Sequence, residues 1–525
     1  MREVKWVDKS LRLNDGVELV SRIWTPKDKG CWPALLMRQP YGREIASTIT
    51  YSHPEWWASK GYIVVVQDVR GQGSSGGVFK GFSQEPSDTS ETHQWVRSLK
   101  ECNGKLGLYG FSYQGLTQLT GTKDSKPPDC LSPAMTGIDL KNHWSSDGGA
   151  FWWNNNIAWG LQIAALKMRR ENNSLGWEEI RSALENKSYL RKGLDLLKKY
   201  DPNNFILEWL NNLNQNKDFL QIKLISSWLK KPMLIIGGLW DPHLGGAFDL
   251  YQKSKAAGGN PDIIIGDSTH LNWWEGSQNT LLEFFDNHLK TNKEVNKTNS
   301  FKNKKIWNLS LKKWDEIEED KIQDCNFGLE SNGTANFEII DGSLLLNSRG
   351  SGWFSIVHDP WRPFQAEGGH LGPNPGLFDR YIFDKRLDVG VFQTNSFEED
   401  LQLSGIPILE TSVTSDKKSF DICLALSLVN EQDKTVNQFS TGFLRVKNLQ
   451  IDEKCDCEIA MHPTNITILK GTKLRLSISA AAYPAIGVNS GFGDDMLGAP
   501  TINHKIINLS FELNKTFMKM TPFFN

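Results

Sequence analysis

The stretch KLGLYGFSYQGLTQL (105–119) constrains the fold more than any other part of the chain. An apolar run short enough to be a buried strand ends near Gly110, and a segment able to begin a helix starts just after Ser112. A turn that sharp lifts the serine hydroxyl above a sheet and points the first helix amides at the reacting centre. It has the form of a nucleophile elbow, with the Tyr113 backbone N–H placed to donate to an oxyanion. Against G-x-S-x-G the pattern is irregular, because Gln114 stands where a glycine is expected and Gly115 comes one residue late. A serine on an ordinary glycine-flanked turn is the competing account.

The surroundings favour the elbow. Between residues 17 and 137, runs such as VELVSRIW, PALLMRQPY, YIVVVQDVRG and LSPAMTGID alternate with helix-length segments. That alternation predicts βαβ units and an α/β fold whose mainly parallel sheet is covered on both faces. PMLIIGGLWD (232–241) and DIIIGDSTH (262–270) resume the sheet later. Asp241 ends the first of these and His270 the second, giving the order serine, acid, histidine with each partner at a strand end. The chemistry requires these types: a serine hydroxyl needs a base to take its proton, and a carboxylate must hold that imidazole in the right tautomer.

Rivals are weaker. His243 lies two residues past Asp241 and Asp267 three before His270, too close to reach the other partners, so His243 is assigned to the pocket rim. Asp68 and Arg70, within VVVQDVRGQGSSGG, are expected to pair and fix a glycine-rich loop. His143 has no partner spacing. The second oxyanion donor should come from the loop after PALLMRQP, where the Tyr41 phenol follows Pro40. Tryptophans are abundant, 20 in 525 residues, and Trp144, Phe151, Trp152 and Trp240 are the candidate pocket walls.

At 525 residues the chain exceeds a single hydrophobic core. The expected organisation is an α/β-hydrolase sheet over 1–139 and 226–295, a helical cap inserted at 140–225, and a β-sandwich jelly roll over 306–525. The cap follows from helical spacing in IAWGLQIAALKMRRE, WEEIRSALE and YLRKGLDLLKKY, and the helix TLLEFFDNHLK closes the sheet domain. A Lys/Asn-rich stretch (291–305) looks like a linker; beyond it, short strands such as FDICLALSLV and LRLSISAA recur without helices. A net charge of −2 without long like-charge runs excludes a nucleic-acid or membrane footprint. Seven scattered cysteines, no signal-peptide core and no long apolar span predict a cytoplasmic protein. No metal or cofactor is expected, and an apolar edge of the jelly roll is a place for a homodimer contact.

Together these residues resemble the CocE/NonD-type hydrolases, the cocaine-esterase and X-Pro dipeptidyl-peptidase group of α/β-hydrolases, which is also similar to α-amino-acid ester hydrolases and glutaryl acylases. The resemblance spans nearly the whole chain. It rests on P-Y (40–41), D-V-R-G-x-G-x-S-G-G (68–77), G-F-S-Y-Q-G (110–115), the W-D and T-H strand ends, and DVGVFQT…FEEDLQLSGIP (388–407). That group's elbow is G-x-S-Y-x-G, so the late glycine fits. The resemblance implies Ser112, Asp241 and His270 as triad, Tyr41 with the Tyr113 amide as oxyanion hole, a helical cap, and a jelly-roll (galactose-binding-like) domain walling the pocket.

Members that bind a free amine carry acids just after the triad aspartate; here Pro242-His243-Leu244 stands there, and Asp147 is the substitute to watch. AAAYPAIGVNSG keeps an aromatic-Pro and Asn-x-Gly pattern without its arginine. The expected activity is hydrolysis of an ester or amide of an apolar or aromatic acyl group through an acyl-enzyme. An X-Pro dipeptidyl-peptidase-like aminopeptidase is the alternative. A non-catalytic ligand-binding protein is the third reading, against which an intact triad argues.

Overall fold

Runs of β-branched and aromatic residues set the strands of the first layer. They are β1 (Val4–Arg12), β2 (Glu18–Pro26), β3 (Trp32–Gln39), β4 (Ile63–Asp68), β5 (Cys102–Phe111) and β6 (Cys130–Ala134). A short hairpin follows, β7 (Ser146–Asp147) and β8 (Ala150–Phe151), and then β9 (Leu234–Trp240), β10 (Asp262–Thr269), β11 (Lys304–Asn308) and β12 (Lys313–Glu316). The computed structural model describes residues 2–45, 50–291, 303–318, 325–493 and 502–524. Apart from the hairpin these strands form one sheet in the order β1-β2-β4-β3-β5-β6-β9-β10-β11-β12. Its centre is parallel from β4 to β11 and its two ends are antiparallel.

Parallel strands must be covered on both faces, and here they are. Helices Pro54–Ser59 and Ser277–Leu289 bury Trp57, Leu281, Phe284 and Phe285 against one face. Helices Glu85–Arg97 and Leu244–Ala256 bury Val96, Leu244, Ala247 and Phe248 against the other. Two strands beyond residue 303 continue this sheet past the stretch assigned to a linker, whose residues 292–302 lie outside the described residues.

Between β6 and β9, ahead of the short helix Ser226–Leu229, four longer helices run in succession, Trp153–Arg170, Ser174–Glu185, Tyr189–Tyr200 and Phe205–Asn214. The last was not expected, because its Asn-rich end disfavours a helix; it is started by Asn204, whose side chain accepts from the Ile206 N–H at 3.0 Å.

The C-terminal part is all β and jelly-roll-like, its twelve strands joined by hydrogen bonds. Strand Ile507–Thr521 bridges Gly352–His358 and Leu401–Ser415 at its centre. The segment 484–486 of this domain meets the cap: Trp153 N donates to Ala485 O and Asn154 N to Pro484 O, both at 2.9 Å. Ile486 of the β-domain also pairs with Trp152. Among the described residues no helix is long and apolar enough to cross a membrane.

Candidate active site

Ser112 lies between the end of β5 and the helix Tyr113–Thr117 with φ 58° and ψ −127°, a left-handed conformation that a non-glycine residue adopts only when its surroundings enforce it. Its N–H is held by the carbonyls of Ala134 (3.0 Å) and Met135 (3.1 Å) at the end of β6. The late glycine now has a cause. A Cβ on Gly115 would stand 2.8 Å from Ala134 O, so only glycine lets this helix pack on β6. Gly110, at φ 138°, gives the turn its entry.

Asp241 follows β9 and His270 follows β10, so both stand at the same sheet edge as Ser112. His270 Nδ1 lies 2.6 Å from Asp241 Oδ1. A carboxylate here accepts only, so Nδ1 carries the proton and Nε2 is left as the base. Asp241 is fully buried while the His270 side chain keeps 28% exposure, so the acid is sheltered and the imidazole reachable. The His270 ring is 5.3 Å from that of Phe111, the residue before Ser112.

Tyr41 is half-buried, and burial pushes its phenol up to about 12, so it stays protonated as a donor. The Trp159 indole N–H lies close to that phenol, short of hydrogen-bond geometry. The loop carrying Tyr41 is fixed through Arg43, which donates to Asp68 from its backbone and, at 2.8 Å, from its guanidinium. Asp68 also accepts from Ser74 N at 2.9 Å. The expected Asp68–Arg70 pair does not form. Arg70 instead reaches Asp88 and Asp15, each at 2.7 Å, since the turn directs the two side chains apart.

Behind the elbow the Tyr113 side chain is clamped. Its ring stacks on Phe82 at 4.3 Å, and its hydroxyl is 2.7 Å from both Gly81 O and Glu85 Oε1. Glu85 is in turn bound by Arg38 at 2.5 Å. Burial raises the Glu85 carboxyl, and the Arg38 charge opposes the shift.

Of the expected pocket residues, Trp144 and Trp152 flank the His243 ring at 4.3 and 5.6 Å, and that ring is 5.2 Å from His270. Trp240 is spent differently, donating to Asp267 at 2.7 Å. Phe151 is buried in the cap beside Trp153, and no ring contact among the described residues links it to the triad. Phe82, Trp159 and Phe205 join the aromatic group instead, with ring centroids of 5.1 Å for Phe82–Trp144, 5.7 Å for Trp144–Trp159 and 4.7 Å for Trp159–Phe205. The spacing of Trp152 and Trp159, two helical turns, was the available signal for one of them. A cavity of about 920 Å³ between the glycine-rich loop and the cap shares Phe82 and Phe205. Among the described residues, Asp241, His243 and His270 hold donor atoms within 4.8 Å of one another, close enough for a divalent cation to draw on them. Asp147 is committed, accepting from Trp152 Nε1 at 3.2 Å and lying 2.7 Å from His370 Nε2.

The fold and this edge arrangement are those of a serine hydrolase of the α/β-hydrolase class. Residues 15–272 match the X-Pro dipeptidyl-peptidase (S15 family), and residues 346–509 match the X-Pro dipeptidyl-peptidase C-terminal non-catalytic domain. The chain belongs to this group, the CocE/NonD-type hydrolases. It is 23% identical to cocaine esterase of Rhodococcus sp. (strain MB1 Bresler), over 92% of this chain and 91% of that one. Similar solved structures include an aminopeptidase from a marine sediment Thaumarchaeota archaeon, with a TM-score of 0.72 and 18% identity over 98% of this chain and 96% of that one. Another is a CocE/NonD family hydrolase from Staphylococcus aureus, with a TM-score of 0.72 and 16% identity over 98% and 93%. At these identities the two structures speak for the fold.

Proposed function

We propose that this serine hydrolase cleaves an ester or amide of an apolar or aromatic acyl group, with Ser112 as nucleophile, His270 as general base and Asp241 as its orienting acid. The observation that carries the reading is the 2.6 Å contact between His270 Nδ1 and the buried Asp241, at the same sheet edge as a serine held in the left-handed region. His270 Nε2 takes the Ser112 proton as Oγ attacks the carbonyl. The developing oxyanion accepts from the Tyr113 N–H and the Tyr41 hydroxyl. Collapse expels the alcohol or amine, protonated by His270, and leaves an acyl-serine that water hydrolyses by the same route.

The aromatic group of Trp144, Trp152, Trp159 and Phe82 supports an apolar or aryl acyl moiety. The aminopeptidase alternative, suggested by the family name, requires an acceptor for a protonated amine; the Asp147 carboxylate is already engaged, which favours the esterase reading. Seven cysteines scattered along the sequence fit a reducing compartment, and the proposal includes a cytoplasmic enzyme.

Fluorophosphonate labelling tests the proposal. The wild-type protein should label and Ser112→Ala should not; equal labelling of both, or of neither, would overturn it and favour a non-catalytic binding protein. Ser112→Ala should also lose about 10⁴–10⁶ in kcat. A 4-nitrophenyl acyl ester should be cleaved in preference to an Ala-Pro anilide.

A further inference from the structure

The His243 ring has a settled protonation pattern. Its Nδ1 is 2.6 Å from the His143 backbone carbonyl, which can only accept. Nδ1 therefore carries the hydrogen, and Nε2 presents a bare lone pair. Burial holds the ring's pKa down to about 4, so it stays neutral at physiological pH. The backbone N–H of the same residue donates to Asp241 Oδ2 at 3.2 Å, which fixes the ring beside the triad.

Among the described residues Nε2 has no hydrogen-bond partner, although the ring stands between Trp144, Trp152 and His270. The carboxylates on the surrounding elements are engaged: Asp241 by His270, Asp147 by His370 and Trp152, and Asp267 by Trp240. Beside the catalytic imidazole the described residues therefore offer an incoming ligand a neutral acceptor, and the carboxylates named there already have partners. His243 Nε2 is unpartnered among the described residues but not sealed off, so a ligand N–H or O–H can reach it and take the place of water there. A protonated amine would give up water against a neutral nitrogen, while the carboxylates on the surrounding described elements are held by other donors, which is a poor exchange.

We infer that His243 is a specificity-determining residue that selects acyl groups bearing a neutral hydrogen-bond donor, an amide N–H or a hydroxyl, next to the scissile carbonyl. The inference rests on the triad proposed above and names the substrate class of the same site.

Four 4-nitrophenyl esters test it, assayed at pH 6 where a free α-amine is protonated: those of N-acetylphenylalanine, N-acetyl-N-methylphenylalanine, phenylalanine and 3-phenylpropanoic acid. The N-acetyl ester should exceed the other three in kcat/KM by roughly tenfold or more, because a neutral donor is the one feature all three lack. His243→Phe, which keeps a ring and removes the acceptor, should bring the ratio of N-acetyl to N-methyl ester close to one. His243→Asp should shift the preference toward the free amine. Equal turnover of the N-acetyl and N-methyl esters by the wild-type protein would overturn the inference, and that comparison stands even if the variants do not fold. An unchanged ratio in a folded His243→Phe would also overturn it. Failure to hydrolyse any ester, together with no labelling of Ser112, would instead sink the triad itself.

Discussion

Two buried arginine–carboxylate pairs, one in each half of the molecule, have the same chemistry and different neighbours. Arg38 and Glu85 meet at 2.5 Å under the elbow, and the free face of Glu85 is taken by the Tyr113 hydroxyl. Arg445 and Asp421 meet at 2.6 Å inside the β-domain, where Arg445 also donates to Gly487 O and Asp421 accepts from Asn489 at 2.8 Å. The first pair ends on a residue whose backbone N–H is the proposed oxyanion donor. The second ends on a loop and a sheet. A buried ion pair is weak evidence of net stability in either place, but breaking one leaves an uncompensated charge. What distinguishes them is what moves when they break.

Removing one partner sharpens that contrast most. Glu85→Ala should destabilise the fold by about 3–5 kcal/mol and lower kcat by about 10²–10³ in whatever protein remains folded. Asp421→Ala should cost a similar stability in urea melts with kcat nearly unchanged. Equal effects of both on kcat, measured well below the unfolding midpoint, would erase the distinction.

Tyr41→Phe comes next. It removes one oxyanion donor and no buried ion, so kcat should fall about 10²–10³ with KM and the melting temperature little altered. An unchanged kcat would reject Tyr41 as a donor.

Acid sensitivity offers a third comparison. His243 beside the triad and His358 in the β-domain are both held near 4 by burial. Between roughly pH 6.5 and 4 the unfolded chain binds these protons and the folded chain does not, so stability falls as pH falls through that window. Each histidine accounts for up to about 3 kcal/mol of that loss. His358→Gln should lessen the fall of the melting temperature over this range and leave turnover alone, whereas His243→Gln should lessen it and change kcat/KM; burial of His93 and His462 keeps part of the fall in both. Thermal melts at pH 4.5 and 7 check both. The smallest effect is expected from Tyr113→Phe, about 1 kcal/mol of stability and a few-fold in kcat, since it keeps the stacked ring and the Arg38–Glu85 pair, whereas Glu85→Ala also leaves the buried Arg38 charge uncompensated beneath the elbow.

The same contrast marks what the sequence could show. The elbow and the strand ends carrying Asp241 and His270 were legible because each is a local pattern, an apolar run broken by a polar residue at its carboxyl end. The cap and the change to strand-only spacing were legible from periodicity. Partners that meet only through tertiary packing were not. Nothing in VVVQDVRG tells Arg70 to seek Asp88 while Asp68 takes Arg43, and nothing near Glu85 announces Tyr113 above it. Phe151 looked like a pocket wall beside Trp152, but one residue along a strand turns a side chain to the other face. Strands β11 and β12 were missed because their charged, Trp-bearing sequences lack the apolar runs of the sheet's centre.

Mass spectrometry of the acid-quenched enzyme during turnover of a 4-nitrophenyl ester tests the central claim most directly. The account predicts one acyl group per chain, carried on Ser112 in the tryptic peptide of residues 106–123, and absent from Ser112→Ala. An acyl group on another residue in a turning-over enzyme would contradict it.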